Sequence, residues 1–567
     1  MSPPTGERQV PFLAMAGAVH THRMYPDVGL AQGTPVDESL QASHHECMSR
    51  LLNETPETAA YPHLASDLAS ILRDVELHTM SVATMRGLLQ ALIACVDPQR
   101  AVNHLLRYVA CLDSPGQFWT ALQQHAGSMA HLVTVFASSQ FLSAILFGQP
   151  QLLFWLLEEG LQGPSPTPQE LDTALWQLIQ PTEAEIDIAA HVRAFTHRHL
   201  LRIGARDLND LADVEAITAD LSALADCVVQ VGLRICQNQL EAMHGAPLYT
   251  DEAGQQHPCH FCVIGMGKLG GYELNFSSDI DLMYVYTSYQ GTTRGIMVDG
   301  TWQHQISNHE YFVALARRLT NLIGGKGPDG QAFRVDLRLR PDGTQGQLAL
   351  SLLSYEAYYE RLGQTWEKMA LLKARPIAGD AQLGAEFMTL IQPFIYRRHL
   401  DPAGIRQLRD MKQQIDVHIA DKDQSRTNIK LGLGGIREIE FFIQILQLLF
   451  GGRHPALQER HSLRALATLH EAGLVSEQHA TTLRQAYCYL RRLEHRLQME
   501  QGAQTHTLPR QEAQRQRLAR LCGYATWEAF YAAHVQYTEA VHAIFSSAFD
   551  TTHPAMSAVF TPESSTE

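Results

Sequence analysis

Hydrophobic positions recur at helical spacing through the first part of the chain, from about 41 to 240. Leu64, Leu68, Ile71 and Leu72 fall on one face, and so do Ile188, Val192, Phe195 and Leu200. Pro164-Ser165-Pro166-Thr167-Pro168 predicts a loop, with Thr167 or a neighbour capping the helix that follows. The pattern changes near 258. Phe261 to Ile264 is a short apolar run ending in glycines, and Ile280 to Tyr286 is a second. Phe312, Leu315, Leu319 and Leu322 predict a helix over 308–323, followed by a glycine-rich turn from Gly324 to Gly330. Phe333, Val335, Leu337 and Leu339 alternate with Arg334, Asp336, Arg338 and Arg340, which predicts a half-buried strand over 333–340. Pro341-Asp342-Gly343 ends it, and 348–353 is expected to pair back as a hairpin strand. From 385 to 549 the pattern is helical again, with Ile436, Ile439, Phe442, Ile443, Leu446 and Leu449 as its cleanest stripe. The expected organisation is a loose extension over 1–40, a helical domain over 41–244, a mixed domain over 245–384, a helical bundle over 385–549 and a flexible tail over 550–567.

Composition narrows the class. The chain has 567 residues, several domains' worth at roughly 150 residues each. It is 45% hydrophobic and 18% charged, an ordinary globular balance. Acidic residues exceed basic ones, 59 against 44, for a net charge of −15. A general nucleic-acid coating protein would carry the opposite sign. Nine cysteines form no disulfide framework. Cys259 and Cys262 have the spacing of a zinc half-site, but no second pair follows, so buried-strand thiols are the expectation. The apolar stretch from Phe141 to Leu157 is interrupted by Gly148-Gln149-Pro150, and no cationic segment precedes Val10 to Val19. A cytoplasmic protein without a membrane segment is expected.

The chemistry concentrates in the mixed segment. Gly265-Met266-Gly267-Lys268-Leu269-Gly270 matches a dinucleotide fingerprint in spacing. The next strand follows too soon for a Rossmann crossover helix, and Leu269 stands where a P-loop needs Ser or Thr. Asp279 and Asp281, two apart on a strand, project from the same face. Two carboxylates this close repel unless a cation lies between them, and magnesium is the natural hard-oxygen partner. Asp336 offers a third carboxylate, with Arg334, Arg338 and Arg340 on its face as forks for phosphate oxygens. The plainer alternative places Asp279 and Asp281 on a solvated strand edge and pairs Asp336 with its arginines.

The block from Gly265 through Lys268, Gly270, Asn275, Ser278, Asp279 and Asp281 to Leu282 closely resembles the signature of bacterial glutamine synthetase adenylyltransferase/adenylyl-removing enzymes. Those enzymes belong to the nucleotidyltransferase superfamily that includes DNA polymerase beta. The resemblance continues through Arg334 to Pro341, Trp366 to Arg375 and Lys430 to Phe441, four blocks in the family's order spanning roughly 130 to 550. It implies an α+β fold, a polymerase-beta-like domain with a mixed sheet between N-terminal and C-terminal helical domains. It implies catalytic, metal-holding Asp279, Asp281 and Asp336, with two magnesium ions as the cofactor. It also implies nucleotide or phosphate contacts from Gly265, Gly267, Lys268, Gly270, Ser278, Arg338, Arg340 and Lys373. Lys373 and Arg375 are expected at the end of a helix, either within reach of a nucleotide phosphate or as solvated helix-end cations. Superfamily members carry a Gly-Ser or Gly-Gly pair about ten residues before the first aspartate; here Gly267-Lys268 stands at that distance and Gly270-Gly271 closer.

The family's usual member is nearly twice this length and carries two such domains, the N-terminal removing AMP from a glutamine synthetase tyrosine and the C-terminal attaching it. This chain shows one copy, and its Asn275-Phe276-Ser277-Ser278 wording and preceding helical region resemble the removing copy. The expectation is either a fragment or a shortened single-activity relative. It would release ADP by phosphorolysis of tyrosyl-AMP, act on glutamine synthetase and answer to the PII signalling protein, without nucleic-acid or membrane partners. Two rivals stand beside it: the same site attaching AMP from ATP, and an inactive regulatory module that binds PII or glutamine synthetase.

Overall fold

The computed structural model describes residues 46–53, 61, 63–76, 80–180, 183–397 and 426–548. The expected extension over 1–40 and the tail over 550–567 lie outside the described residues. An α+β architecture results: a small mixed sheet held between two bodies of helices.

The helical first part forms as the spacing predicts. Thr167 caps the helix Pro168–Gln177 in a reciprocal box with Glu170. The helices Glu185–Leu208 and Val214–His244 follow, the second capped by the Asp213 side chain. Val214–His244 is long and apolar enough to cross a membrane, but it is a core helix, packed against Asn308–Gly324, Pro168–Gln177 and Glu185–Leu208. The stretch from Phe141 breaks where expected, with one helix ending at Gly148 and the next beginning at Leu152.

Five strands form the central sheet: β1 (Phe261–Gly265), β2 (Ile280–Tyr286), β3 (Val335–Asp336), β4 (Leu350–Ser351) and β5 (Arg375–Gly379). The order is β5-β1-β2-β3, with β4 also pairing β2. β1 runs antiparallel to β2 and to β5, whereas β3 and β4 run parallel to β2. The helix Asn308–Gly324 links β2 to β3, its start fixed by a Ser307–Glu310 capping box. Strand alternation divides the two cores. Phe261, Val263, Ile280, Leu282 and Tyr284 pack with the N-terminal helices, and Cys262, Ile264, Met283 and Val285 with the C-terminal ones. The sheet is thus buried on both faces.

Three expectations need correcting. The strand over 333–340 reduces to Val335–Asp336, because the chain turns at 338–340, where Arg340 N–H donates to Leu337 O and its guanidinium donates to the Leu337 and Gly346 carbonyls. The segment 348–353 does not make a hairpin. Leu350–Ser351 pairs parallel to β2, and the helix Leu352–Arg361 begins at once, with Ser351 as its cap. Lys373 and Arg375 do not end a helix: Thr365–Leu371 has already finished, and Arg375 opens β5.

Of the C-terminal helices, Ile436–Phe450 carries the expected stripe, and Glu477–Gln501 runs beside the sheet's glycine turn. Cys259 and Cys262 are buried free thiols, pushed up to about 11 and about 12 by desolvation.

Candidate active site

Parallel pairing of β2 with β3 sets Asp281 opposite Asp336 in register, and Ile280 opposite Val335. Asp281 lies on the face shared by Met283 and Val285, toward the C-terminal helices, while Ile280 and Leu282 enter the other core. Asp279 immediately precedes β2. The glycine turn closes over this point. Met266 N–H donates to the Asp281 carbonyl at 2.9 Å, and Gly267 takes a left-handed φ of 54°. A Cβ on Gly267 would stand 2.6 Å from Asp281 Oδ2, so only glycine lets the turn pass so near the carboxylate.

The three carboxylates differ in their partners. Arg334 Nε donates to Asp279 Oδ1 at 2.6 Å, and the same guanidinium donates to Ser277 O. Asp336 accepts the Arg338 backbone N–H at 2.8 Å and its Nε at 2.8 Å. Burial raises the Asp336 carboxyl, but the Arg338 bonds outweigh it and leave the group below its ordinary range. No described cation forms an ion pair with Asp281. Desolvation, followed by the charges of Asp336 and Asp279, pushes its carboxyl up to about 7, and only Lys430 and Arg338 oppose this from a distance.

Among the described residues, no three potential ligands are drawn together as a ready metal cluster. The arginines explain this, since Asp279 and Asp336 are each held on a guanidinium. The donor set still fits a hard divalent cation. It offers carboxylate oxygens only, and its middle member is held at a raised pKa by burial and then by two like charges. The plainer alternative, that Asp336 pairs an arginine, is met in this arrangement as well.

Other expected contacts lie elsewhere. Arg340 braces the turn carbonyls described above. Gly270 packs against the Lys373 carbonyl, and Gly265 against Ile377, so both glycines serve close packing here. Lys268 Nζ sits 3.2 Å from Glu494. Burial pulls the ammonium down to about 8 despite that carboxylate, whereas Lys268, His506 and Arg491 hold Glu494 well below its ordinary range. Both groups are ionised near neutral pH, since an ammonium at about 8 is still mostly charged and Glu494 keeps its charge among several cationic or donor neighbours. Lys373 Nζ is buried 2.6 Å from Glu273, with Glu440 and Ser462 alongside. Buried carboxylates hold both lysines in this arrangement. Ser278 remains at the site's edge beside Arg334.

Two contributions escape a strand-by-strand reading. Arg334 holds Asp279 while gripping the Ser277 carbonyl, and its place in the 333–340 alternation was the only signal. Lys430, in the turn before Ile436–Phe450, brings positive charge to Asp281 from the C-terminal body. Its block, Lys430-Leu431-Gly432-Leu433-Gly434-Gly435, was visible in the sequence, but its distance along the chain hid this approach.

An acidic pair registered across a mixed sheet, with a glycine turn pressed against it, defines a site of the nucleotidyltransferase class. Comparison with known proteins agrees. Residues 129–390 match the family model for glutamate-ammonia ligase adenylyltransferase, and residues 409–549 match that for GlnD PII-uridylyltransferase. The chain is 39% identical to a bifunctional glutamine synthetase adenylyltransferase/adenylyl-removing enzyme of Nitrosococcus oceani, over 76% of its own length and 43% of that protein's. Enzymes of the same description from Stenotrophomonas maltophilia and Xanthomonas campestris pv. campestris are 41% and 40% identical, over 71% and 80% of the chain and 41% and 45% of theirs. The chain belongs to this glutamine synthetase adenylyltransferase family, and it spans less than half the length of the curated relatives it matches.

Proposed function

We propose that this chain removes AMP from an adenylylated tyrosine of glutamine synthetase by phosphorolysis, giving ADP and free tyrosine. The observation that carries the reading is the set of three carboxylates, Asp281 in register with Asp336 and Asp279 beside them, beneath the Gly267 turn. An oxygen of hydrogen phosphate bonds to the AMP phosphorus while the bond to the tyrosine oxygen breaks. The proton of hydrogen phosphate ends on the tyrosine hydroxyl. A phenol, with an ordinary pKa of about 10, leaves without a strong general acid. Asp279, Asp281 and Asp336 would hold magnesium, which would supply charge neutralisation at the reacting phosphate. Arg338, whose side chain is 72% exposed, offers its planar fork to the incoming phosphate once it releases Asp336. Arg334 orients Asp279 through its second grip on Ser277 O.

The direction rests on the Asn275-Phe276-Ser277-Ser278 wording, which resembles the removing copy of the family. An inactive module is the weaker reading, since a silent site has no use for an unpaired, buried Asp281 between two like charges. The match of 409–549 to a PII-uridylyltransferase segment supports PII as a regulator acting through the C-terminal helices. A cytoplasmic setting goes with nine free cysteines and none in a disulfide. The test compares ADP release from adenylylated glutamine synthetase and phosphate with AMP incorporation from ATP into the unmodified enzyme. Release should dominate; dominant incorporation would assign this site the attaching reaction instead.

A further inference from the structure

The glycine turn, Gly267–Gly270, is tied down from the face of the sheet opposite Asp281. Gly265 pairs with both Leu282 and Arg375, so Arg375 shares the face of Leu282, toward the N-terminal helices. From there its guanidinium donates from Nη2 to Leu269 O at 3.1 Å and from Nε to Gly270 O at 3.4 Å. Asp226, on the core helix Val214–His244, fixes the same group, with Nη1 2.8 Å from Oδ2 and Nη2 3.1 Å from Oδ1. The Tyr272 ring covers it, the guanidinium carbon standing 3.8 Å from the ring centroid. Tyr272 has a φ of 58°, in the left-handed region that an L side chain enters only at a cost. Its neighbour Gly271 has an ordinary φ of −82°, so the left-handed position and the glycine do not coincide. A ring, 41% exposed, is kept where glycine would relieve the backbone.

We propose that Asp226, Arg375 and Tyr272 form a clamp that sets the glycine turn against Asp281, with Arg375 as its positioning residue. The clamp acts through the turn. Gly270 N–H donates to Met266 O at 3.0 Å and Gly271 N–H to Gly267 O at 3.1 Å, so the turn moves as one piece. Holding Leu269 and Gly270 therefore holds Gly267, the residue packed against the Asp281 carboxylate. A misplacement of about 1 Å at a reacting centre costs on the order of a hundredfold in rate, so such a tie bears on turnover. The proposal rests on the phosphorolysis reading for the reaction it serves, and not for its own geometry. The competing account makes Arg375 a buried cation that only satisfies carbonyls, and Tyr272 its cover.

The test compares the full chain with Tyr272→Gly, Tyr272→Phe and Arg375→Lys. A lysine keeps the charge but cannot span two carbonyls and a carboxylate at once. Hydrogen exchange read by mass spectrometry follows the turn itself. Amides of 268–273 should exchange about tenfold faster in Tyr272→Gly and Arg375→Lys, with those of Ile280–Tyr286 unchanged. In turnover of adenylylated glutamine synthetase with phosphate and magnesium, kcat should fall about tenfold in both variants, with KM for phosphate changed by about twofold or less. Tyr272→Phe keeps the ring and should restore both the exchange and the kcat that Tyr272→Gly loses. If Arg375→Lys does not fold, Tyr272→Gly decides, since it removes an exposed side chain. Unchanged exchange in the turn, acceleration spread equally to Ile280–Tyr286, or Tyr272→Phe as impaired as Tyr272→Gly would overturn the clamp. So would a rise in KM with kcat unchanged. If wild type incorporates AMP from ATP and releases no ADP, the phosphorolysis reading fails, and the same kcat comparison on incorporation judges the clamp. If wild type releases ADP and the variants keep its exchange and kcat, the clamp fails alone.

Discussion

Two clusters of charge lie close together in this molecule and are built on opposite plans. Along the helix Glu477–Gln501, Arg491 is fully buried and donates to Tyr487, to the Glu273 carbonyl and to Asn275. Glu273 in turn accepts Lys373, Ser462 and Tyr487, and Glu494 accepts Lys268. His495 and Arg496 reach across to Asp207 at 2.7 and 2.6 Å. Each buried carboxylate there has its own cations, which is what makes burial of charge tolerable. At the sheet, three carboxylates share two arginines and Asp281 is left over. The first cluster fastens the glycine turn and both helical bodies together. The second is left short of positive charge. Stability and chemistry are thus separated within a single polar region.

The contrast breaks most sharply at Asp281. Asp281→Asn should lower ADP release by about a thousandfold, the scale of losing several kcal/mol of charge stabilisation at the reacting oxygens. Its melting temperature without metal should equal or exceed wild type, because the substitution relieves like-charge repulsion. Magnesium should raise the melting temperature of wild type but not of the variant. A variant that melts much lower would place Asp281 with the structural cluster.

Lys373→Ala should do the reverse. Removing one partner of a buried pair leaves Glu273 uncompensated and should cost about 3–5 kcal/mol of unfolding free energy by denaturant titration. A loss below about 1 kcal/mol would mean that Lys373 is not a fastening residue and would return it to the candidates for phosphate binding.

Acid should loosen the same cluster through Asp207. Burial raises this carboxyl, but Arg496 and His495 outweigh it and bring the group down to about 2 in the folded protein. Its folded pKa is depressed, so its contribution is present above the unfolded value and lost as pH falls from about 4 to about 2. The amount is on the order of 2 kcal/mol. Asp207→Asn should flatten the stability profile across that window, and an unchanged slope would remove Asp207 from the account.

The smallest expected effect is at the exposed arginine. Arg338→Lys keeps the charge but loses the fork, and should weaken the dependence on phosphate by about tenfold while sparing recognition of the modified protein. An unchanged phosphate dependence would leave Arg338 as a partner of Asp336 only.

The same contrast marks what could be read from the chain. β1, β2 and the helix Asn308–Gly324 were legible, because each is set by a local apolar pattern. The carboxylates were legible as a motif; their register was not, since a whole helix separates Asp281 from Asp336. The alternation over 333–340 misled, because polarity alone cannot show that Arg340 seeks turn carbonyls instead of a neighbouring strand. The ion pairs of Lys268 and Lys373 were not legible for a related reason: their carboxylate partners Glu494 and Glu273 lie 226 and 100 residues away.

The central claim is that this acidic site transfers AMP to inorganic phosphate. The most direct measurement supplies adenylylated glutamine synthetase and magnesium together with phosphorus-labelled inorganic phosphate, using Asp281→Asn as the blank. The label should appear in ADP, at its β-phosphate, in step with loss of AMP from the protein, and should be absent from the blank. Release of AMP without labelled ADP, or labelled ADP formed equally by the Asp281→Asn variant, would contradict the account.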